Sequence, residues 1–346
     1  MNKQNIKNQS VYEALREYAD NSFFIISPTS REKLSEEAKQ VIDDGYVDFI
    51  MTHELSYDQS LPDVSGYDNV VGLGGGTAID YAKYLAKLNS MWCIAIPSML
   101  STNVFATNKV AVASAKGKHT VEGVLPNVVI VDQEYLDKSK TENLYGLVDV
   151  FSIFNALRDW DLGIQNGQLA IDKKIYQRAE ELLLSSRMTA DRFVHGGVDN
   201  LGLFSVIKEA GYITNDYGSG RPESGSEHIF ASALETDYMV NTGNIIPHAL
   251  AVALGIHIMT YFFTCDKRYM LYDHEDMVKF DKLDFKGLGV INKINEFGFT
   301  YDYIWGLLKG LQPRLDKYTL VDELHVDDSD YEPVKKWLED CGFVFA

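Results

Sequence analysis

The sequence is poor in cysteine, in basic residues and in long apolar runs. Three widely separated cysteines in 346 residues exclude a disulfide framework and a cysteine-based zinc site. The 50 acidic residues outnumber 32 Lys and Arg, and the formal charge of −18 argues against nucleic-acid binding, because a phosphate backbone requires a basic surface. No apolar run approaches the roughly 20 residues of a bilayer-spanning helix. Because a cysteine-based site is excluded, any metal must be held by nitrogen and oxygen ligands.

The start of the chain is polar. Residues 1–20 lack the apolar core of a signal peptide, so we expect a cytoplasmic protein without a membrane span. The sequence leaves open whether the chain forms a homo-oligomer.

Length and pattern predict two domains. A chain of 346 residues exceeds the usual size of one hydrophobic core. Up to about residue 135, short apolar runs alternate with helical stretches, which is typical of an α/β domain with a parallel sheet. Beyond that point helical periodicity continues with little β-rich sequence, and a second, all-helical domain is predicted over residues 136–346. The predicted strands are 23–26, 46–51, 69–73, 93–96 and 128–131, and the predicted helices include 31–43, 78–87, 147–166, 168–188, 228–234 and 248–263.

A glycine-rich turn follows the third predicted strand. Gly74, Gly75, Gly76 and Thr77 lead directly into a helical stretch. Glycines leave no Cβ to obstruct a ligand, and the free amides of a helix start favour an anion such as a diphosphate. The spacing is not the common GxGxxG, and a glycine-rich turn alone is about as often a simple tight turn. Its place in the third βα unit favours a Rossmann-like pyrophosphate site for NAD(P), with Asp80 as a further cofactor contact.

The most specific segment is GSGRPESGSEHIF, at residues 218–230. It closely resembles the RPxSGSEH segment of the sn-glycerol-1-phosphate dehydrogenases. That family lies in a superfamily with the glycerol dehydrogenases, the iron-containing alcohol dehydrogenases and the dehydroquinate synthases. The resemblance extends from about residue 70 to residue 259 and is patchy at both ends. It implies that His228, the histidine of this segment, is a metal ligand.

Two further residues match positions of the same family. Asp149 ends GLVD, which is followed by RDW at 158–160, and this resembles the GxxD segment and the later DW pair. His248, in IPHA, occupies the position of the second histidine, although alanine replaces the glycine that often follows. The resemblance implies that Asp149, His228 and His248 hold a divalent metal and are catalytic. Two imidazoles and one carboxylate suit zinc and leave a position for substrate, whose oxygen the ion polarises.

The loop after strand 93–96 departs from the family pattern. The family usually has a PTxxSxDGxxSP-like loop, whereas this chain reads PSMLSTNVFATNK over residues 97–109. The resemblance implies that Ser98 and Ser101 contact the nicotinamide half of the cofactor. The expected Asp is Asn103, and an amide cannot act as a base near neutral pH. Asn103 is therefore predicted to be a catalytic-site residue that alters substrate preference.

The group that binds a substrate phosphate is left open. The candidate cations are Lys109, Arg158 and Arg221, and each also has a structural interpretation. The remaining histidines receive a structural interpretation: His257 lies on the opposite side of its helix from His248, and no motif surrounds His53, His119, His195, His274 and His325.

The choice between NAD and NADP is also open. Residues 27–31 lack the acidic residue that holds ribose hydroxyls, which tilts the prediction slightly towards NADP(H). Asp48 and Glu54, near the second predicted strand, are the residues that could serve NAD instead.

The leading hypothesis is a metal-dependent dehydrogenase. It transfers a hydride between NAD(P)H, bound in the α/β domain over residues 1–135, and a small phosphorylated ketone or alcohol, such as dihydroxyacetone phosphate or glycerol 1-phosphate. The alternative enzyme is a sugar-phosphate cyclase, a lyase like dehydroquinate synthase that uses NAD transiently. That branch normally has Glu as first ligand, so Asp149 argues against it. A catalytically inactive binding protein that retains the fold is a third hypothesis, which the intact ligand set disfavours.

Overall fold

The structure, a computed structural model, describes residues 4–52, 55–56, 59–114, 117–195, 197, 199–269, 285, 287–315 and 317–346. The chain divides into two compact units. The first comprises Met1–Gly146 with Asn200–Asn215, and the second comprises Leu147–Asp199 with Asp216–Ala346. The domain limit at residue 135 stays a prediction, since these units divide after Gly146 and place a later helical segment with the amino-terminal unit.

The first unit contains a six-stranded parallel sheet and an antiparallel hairpin. The strands are β1 (Asn5–Asn8), β2 (Ser22–Ile26), β3 (Asp48–Met51), β4 (Asn69–Gly74), β5 (Trp92–Pro97), β6 (Lys109–Ser114), β7 (Gly117–Glu122) and β8 (Val128–Val131). The sheet has the order β1-β8-β5-β4-β2-β3, and β6 pairs with β7. The predicted parallel sheet is confirmed.

Apolar residues on both faces explain why the central strands read as continuous hydrophobic runs. Successive side chains of a strand point to opposite faces, and Phe24 and Ile26 of β2 join a core cluster with Leu15. Phe23 and Ile25 join a second cluster, which includes Ala82. Every residue of β2 and of β8 is buried. The core of the first unit therefore lies in two layers, one on each face of the sheet.

The strand β1 and the hairpin were missed by the sequence analysis. β1 has the polar sequence NIKN and lies at the sheet edge, where it pairs with β8 from Asn5 opposite Val128 to Asn8 opposite Val131. Its pairing, and not its composition, makes it a strand. The hairpin pairs Lys109 with Glu122.

Helices make up most of the rest of the described chain. They are α1 (Val11–Tyr18), α2 (Pro28–Glu32), α3 (Glu36–Asp43), α4 (Gly76–Asn89), α5 (Gln133–Asp137), α6 (Lys140–Phe151), α7 (Ile153–Gln165), α8 (Lys173–His195), α9 (Asn200–Tyr217), α10 (Ser226–Thr242), α11 (His248–Thr264), α12 (Val290–Asn295), α13 (Tyr301–Lys309) and α14 (Tyr331–Cys341). Within the described part of the second unit, the sole β pairing is an isolated bridge between Arg314 and Lys317. The predicted helical character of the carboxy-terminal part is confirmed.

Two helices of the second unit, α10 and α11, pack closely near their amino-terminal halves. A Cβ at Gly255 of α11 would lie 2.5 Å from the carbonyl oxygen of Glu227, so this close approach requires glycine. α11 is buried along almost its whole length and is the central helix of the unit. In the described residues, no helix is both long and apolar enough to cross a bilayer.

Candidate metal centre and nucleotide-binding turn

The three predicted metal ligands converge within the second unit. Asp149 lies in the last turn of α6, His228 in the first turn of α10, and His248 is the first residue of α11. One ligand atom from each residue lies within 4.8 Å of the others. Asp149 Oδ1 is 3.3 Å from Nε2 of His228 and 3.8 Å from Nε2 of His248. Three separate helix ends therefore present one carboxylate and two imidazoles to a common point.

This donor set fits a divalent ion. Tetrahedral coordination with metal–ligand distances of about 2.0–2.2 Å places ligand atoms about 3.3–3.6 Å apart, which is close to the two separations from Asp149. Asp149 Oδ1 is buried and accepts no hydrogen bond from the described residues. A buried carboxylate oxygen without a donor is costly, and a cation would satisfy it. The geometry and the orphaned oxygen both suit a metal.

A glutamate holds each imidazole through its other nitrogen. Nδ1 of His228 is 2.7 Å from Glu227 Oε1, and Nδ1 of His248 is 2.5 Å from Glu235 Oε1. Because a carboxylate favours a proton on the nitrogen that faces it, Nε2 is the nitrogen that each ring would offer to a metal beside Asp149. The glutamates thus fix the orientation and the ligating nitrogen of both rings.

The electrostatics of the cluster favour a cation. Burial alone would raise the pKa of Asp149, but the neighbouring imidazoles of His228 and His248 lower it below its usual range. Burial would lower the pKa of His228, but Asp149 and Glu227 raise it to about 9. Two carboxylates that stabilise an imidazolium also stabilise a metal ion in place of its proton.

The SGSEH segment is held by a buried aspartate from the neighbouring helix. Asp159 of α7 accepts hydrogen bonds from the amides of Ser226 and Leu320, both at 2.5 Å. Burial and the negative charge of Glu227 raise the pKa of Asp159 to about 7. A Cβ at Gly225 would lie 2.0 Å from Asp159 Oδ2, so the segment can reach this carboxylate only with glycine there.

The three candidate phosphate-binding cations all have partners in the protein. Lys109 pairs with Glu122 across the hairpin at 3.5 Å. Arg158 pairs with Asp161 at 3.4 Å. Arg221 is 4% exposed and donates to the carbonyl of Tyr318 at 2.5 Å. These contacts favour structural roles for all three cations.

The glycine turn lies at the carboxyl end of β4 in the first unit. β2 has β3 on one side and β4 on the other, so β2 and β4 flank a point where the strand order reverses, the usual place for a ligand in parallel sheets. Gly75 is the N-cap of α4. A polar side chain at this position commonly accepts a hydrogen bond from one of the first backbone amides of the helix, and glycine has no side chain to do so. Gly75 and Gly76 are half-buried and Thr77 is exposed, whereas Gly74 is buried within β4. The turn therefore presents helix amides to a ligand.

The loop between β5 and β6 runs beside this turn. A Cβ at Gly76 would lie 3.7 Å from Val104 and 3.8 Å from Thr102, in ordinary contact. Ser98 is fully buried, and its hydroxyl lies 2.8 Å from that of Ser30. Ser101 and Asn103 are half-buried, and Asn103 begins a short helical turn, Val104–Ala106.

Asp80 and Asp48, which the sequence analysis considered as cofactor contacts, are both hydrogen-bonded within the protein. Both carboxylate oxygens of Asp80 are engaged, one by Lys83 at 2.8 Å and one by the amide of Ala111 at 2.9 Å. Asp48 is the first residue of β3 and therefore lies at the amino edge of the sheet, away from the glycine turn, where it accepts from Tyr67 at 2.6 Å. These positions do not support the two residues as cofactor contacts. Glu54, His53 and His274 lie outside the described residues.

The sequence analysis did not identify Glu227 and Glu235, the two glutamates that contact the histidines of the candidate site. Glu235 follows His228 by two helical turns, a spacing that places both on one face of α10. That periodicity was a usable signal, since an acidic residue on the same face as a metal ligand is a natural partner for a second histidine.

The chain is similar to known dehydrogenases. Residues 25–139 match the family model described as iron-containing alcohol dehydrogenase. The chain is 27% identical over 332 residues to a glycerol-1-phosphate dehydrogenase, NAD(P)+, from Hyperthermus butylicus, covering 90% of this chain and 88% of that protein. The corresponding protein from Thermoplasma volcanium is 27% identical over 289 residues, with 80% and 74% covered.

Solved structures share the fold. A probable glycerol dehydrogenase from Sinorhizobium meliloti superposes with a TM-score of 0.63 at 14% identity, covering 98% of this chain and 96% of that one. Glycerol dehydrogenase from Schizosaccharomyces pombe gives a TM-score of 0.59 at 14% identity, covering 99% and 92%.

Proposed function

We propose that this chain is a member of the glycerol-1-phosphate dehydrogenase family and a metal-dependent oxidoreductase that transfers a hydride between NAD(P)H and a small phosphorylated ketone or alcohol. The substrate pair that we propose is dihydroxyacetone phosphate and glycerol 1-phosphate. The observation that carries this proposal is the convergence of Asp149, His228 and His248, with both imidazoles oriented by glutamates. The relatives that bear this name cover most of the chain, which supports the same activity.

The residues of the second unit would bind the metal and, through it, orient the substrate. Asp149 supplies the negative charge, and Glu227 and Glu235 keep the Nε2 lone pairs of the histidines available. When bound there, a divalent ion polarises the substrate carbonyl and stabilises the charge that develops on its oxygen during hydride transfer. We propose zinc, because two imidazoles and one carboxylate are ligands that it accepts in catalytic sites.

The glycine turn of the first unit is the proposed pyrophosphate site. Gly75 and Gly76 expose the first amides of α4, whose partial positive charge favours the diphosphate of NAD(P). Ser101 and Asn103 are proposed to face the cofactor and substrate, respectively. Asn103 can donate and accept hydrogen bonds but cannot take a proton, so proton transfer requires another group or water.

The test is NAD(P)H consumption by zinc-reconstituted protein offered dihydroxyacetone phosphate, with unphosphorylated dihydroxyacetone as the comparison. NADH and NADPH are each tested as hydride donor. We expect turnover, with a preference for the phosphorylated ketone. His228→Ala should bind metal more weakly and lose turnover while retaining cofactor binding, since the two sites lie in different units. His257→Gln, which changes a histidine on α11 outside the ligand set, is the matched control and should keep both metal and turnover.

Three outcomes would contradict the proposal. Normal turnover in His228→Ala with metal still bound would refute the metal assignment. Conversion of a sugar phosphate without net NAD(P)H consumption would indicate a cyclase. Absence of any reaction by metal-loaded protein over a screen of small phosphorylated ketones would indicate a binding protein.

A further inference from the structure

We propose that Lys83 is a positioning residue for substrate, because with Asp80 it fixes the backbone of the loop 98–108 against helix α4. The loop contains Ser101 and Asn103, and the glycine turn, residues 74–77, includes the first two residues of α4. This inference rests on the proposed function in so far as it assigns those loop residues to substrate and cofactor.

Lys83 is a lysine with no exposed surface. Its side chain is 0% exposed and that of Asp80 is 6% exposed. The ammonium group has three N–H donors, and three acceptors receive them: Asp80 Oδ1 at 2.8 Å, the Val104 carbonyl at 3.0 Å, and the Lys109 carbonyl. A buried charge is tolerated when it is paired and fully hydrogen-bonded, and Lys83 meets both conditions.

The acceptors reveal what the lysine holds. Val104 follows Asn103 directly and begins the helical turn, and Lys109 begins β6, so one ammonium group holds both the start of the turn and the strand that follows the loop. Asp80 extends the same network, because its second oxygen accepts the amide of Ala111 in β6. An ordinary buried ion pair would join two side chains, whereas this pair binds three backbone groups of one segment.

Other side chains hold the two ends of the loop. Asn143 accepts the amide of Leu100 at 2.8 Å, and Asn215 donates to the carbonyl of Ala106 at 2.8 Å. The carbonyl of Val104, which accepts from Lys83, lies between these points and directly after Asn103. Since Lys83 lies on α4 two turns after the glycine turn, the contact also sets the distance between the loop and the first turn of that helix. Lys83 therefore fixes the backbone on which substrate discrimination is proposed to depend.

The test compares two variants with a destabilised control. Lys83→Met removes the ammonium group but leaves the carboxylate of Asp80 buried, so it risks misfolding. The double variant Asp80→Asn with Lys83→Met removes both charges and keeps an oxygen for the amide of Ala111. Leu15→Ala opens a cavity in the cluster on the other face of the sheet and lowers stability without touching the loop.

Hydrogen exchange of the backbone amides measures directly how firmly Lys83 and Asp80 hold the loop. In the double variant, amides of residues 98–111 should exchange about tenfold to a hundredfold faster, the factor expected from losing hydrogen bonds to a charged group. Amides of β2 and β4 should change less than that. Leu15→Ala should accelerate exchange without selecting the loop. Equal acceleration of loop and sheet in the double variant would overturn the proposal.

Steady-state kinetics separates positioning from stability. A structural defect lowers the active fraction, and so kcat, without moving KM. Loss of positioning should raise KM for the ketone about tenfold, while the Kd for NAD(P)H changes little. An unchanged ketone KM with only kcat reduced would overturn the positioning role. If wild-type protein consumes no NAD(P)H, the proposed function fails, and the exchange measurement still decides whether Lys83 holds the loop.

Discussion

Replacement of Glu235 tests whether a side chain that does not touch the metal determines how tightly the metal binds. Glu235 Oε1 lies 2.5 Å from Nδ1 of His248, whose side chain is 37% exposed. His248 thus has more solvent around it than His228, whose side chain is 16% exposed. A partly exposed ring has fewer packing contacts to hold it, so we expect its orientation to depend strongly on Glu235.

The expected loss has two steps. Glu235→Gln keeps an oxygen that can accept from Nδ1 but removes the negative charge, and we expect about a tenfold weaker metal affinity. Glu235→Ala also removes the orientation, and about a hundredfold weaker affinity is expected, equivalent to about 2.7 kcal/mol. The order of the two variants follows from which of the two interactions each retains.

The measurement is competition for zinc between the metal-free protein and a chromophoric chelator at fixed pH. Asp237→Asn is the matched control, because Asp237 lies on the same helix and its carboxylate accepts from Tyr303 and Asn241, not from a metal ligand. It should retain wild-type affinity. Wild-type affinity in Glu235→Ala, or an equal loss in Asp237→Asn, would refute the orienting role.

Three further predictions concern stability and substrate preference. Burial lowers the pKa of His257 to about 4, so the stability that its neutral form contributes is complete above the unfolded pKa of about 6.5 and falls as the pH drops towards 4. Between pH 7 and pH 5 the free energy of unfolding of wild type, measured by denaturant titration, should fall by about 2 kcal/mol more than that of His257→Gln. The control His195→Gln, at an exposed site, should behave as wild type. Gly225→Ala forces a methyl group to within 2.0 Å of Asp159 and should lower the free energy of unfolding by about 1–3 kcal/mol, measured in the same way. Asn103→Asp should change the ratio of kcat/KM between dihydroxyacetone phosphate and other ketones without changing metal content, and an unchanged ratio would remove Asn103 from the substrate site.

Sequence patterns located the elements whose apolar residues follow a regular period. The predicted strands 69–73 and 93–96 correspond to β4 and β5, which are one and two residues longer. Both could be located because they are buried apolar runs in a parallel sheet. β1 could not be predicted in this way. Its polar sequence carries no strand signal, and it becomes a strand through hydrogen bonds to β8, more than a hundred residues away in the chain.

The candidate site divides along the same line. Resemblance to a known motif selected Asp149 and both histidines, since ligands need a fixed chemical type at a fixed place. Their supporting residues are not confined in this way, because a carboxylate can reach an imidazole from many positions. Glu227 is adjacent to its histidine, whereas Glu235 reaches His248 from another helix, and only the packing of α10 on α11 brings that pair together.

One buried atom of the ligand cluster has no hydrogen-bond partner among the described residues, Asp149 Oδ1. Such an atom costs about 1–3 kcal/mol of stability, and a cation held between Asp149 and the two histidines would satisfy it. Burial would lower the pKa of His228, but Asp149 and Glu227 raise it to about 9, so the charge around this ring favours a cation. Metal binding at this site would account for the cost in stability of the arrangement, which a purely structural role for the cluster leaves unexplained.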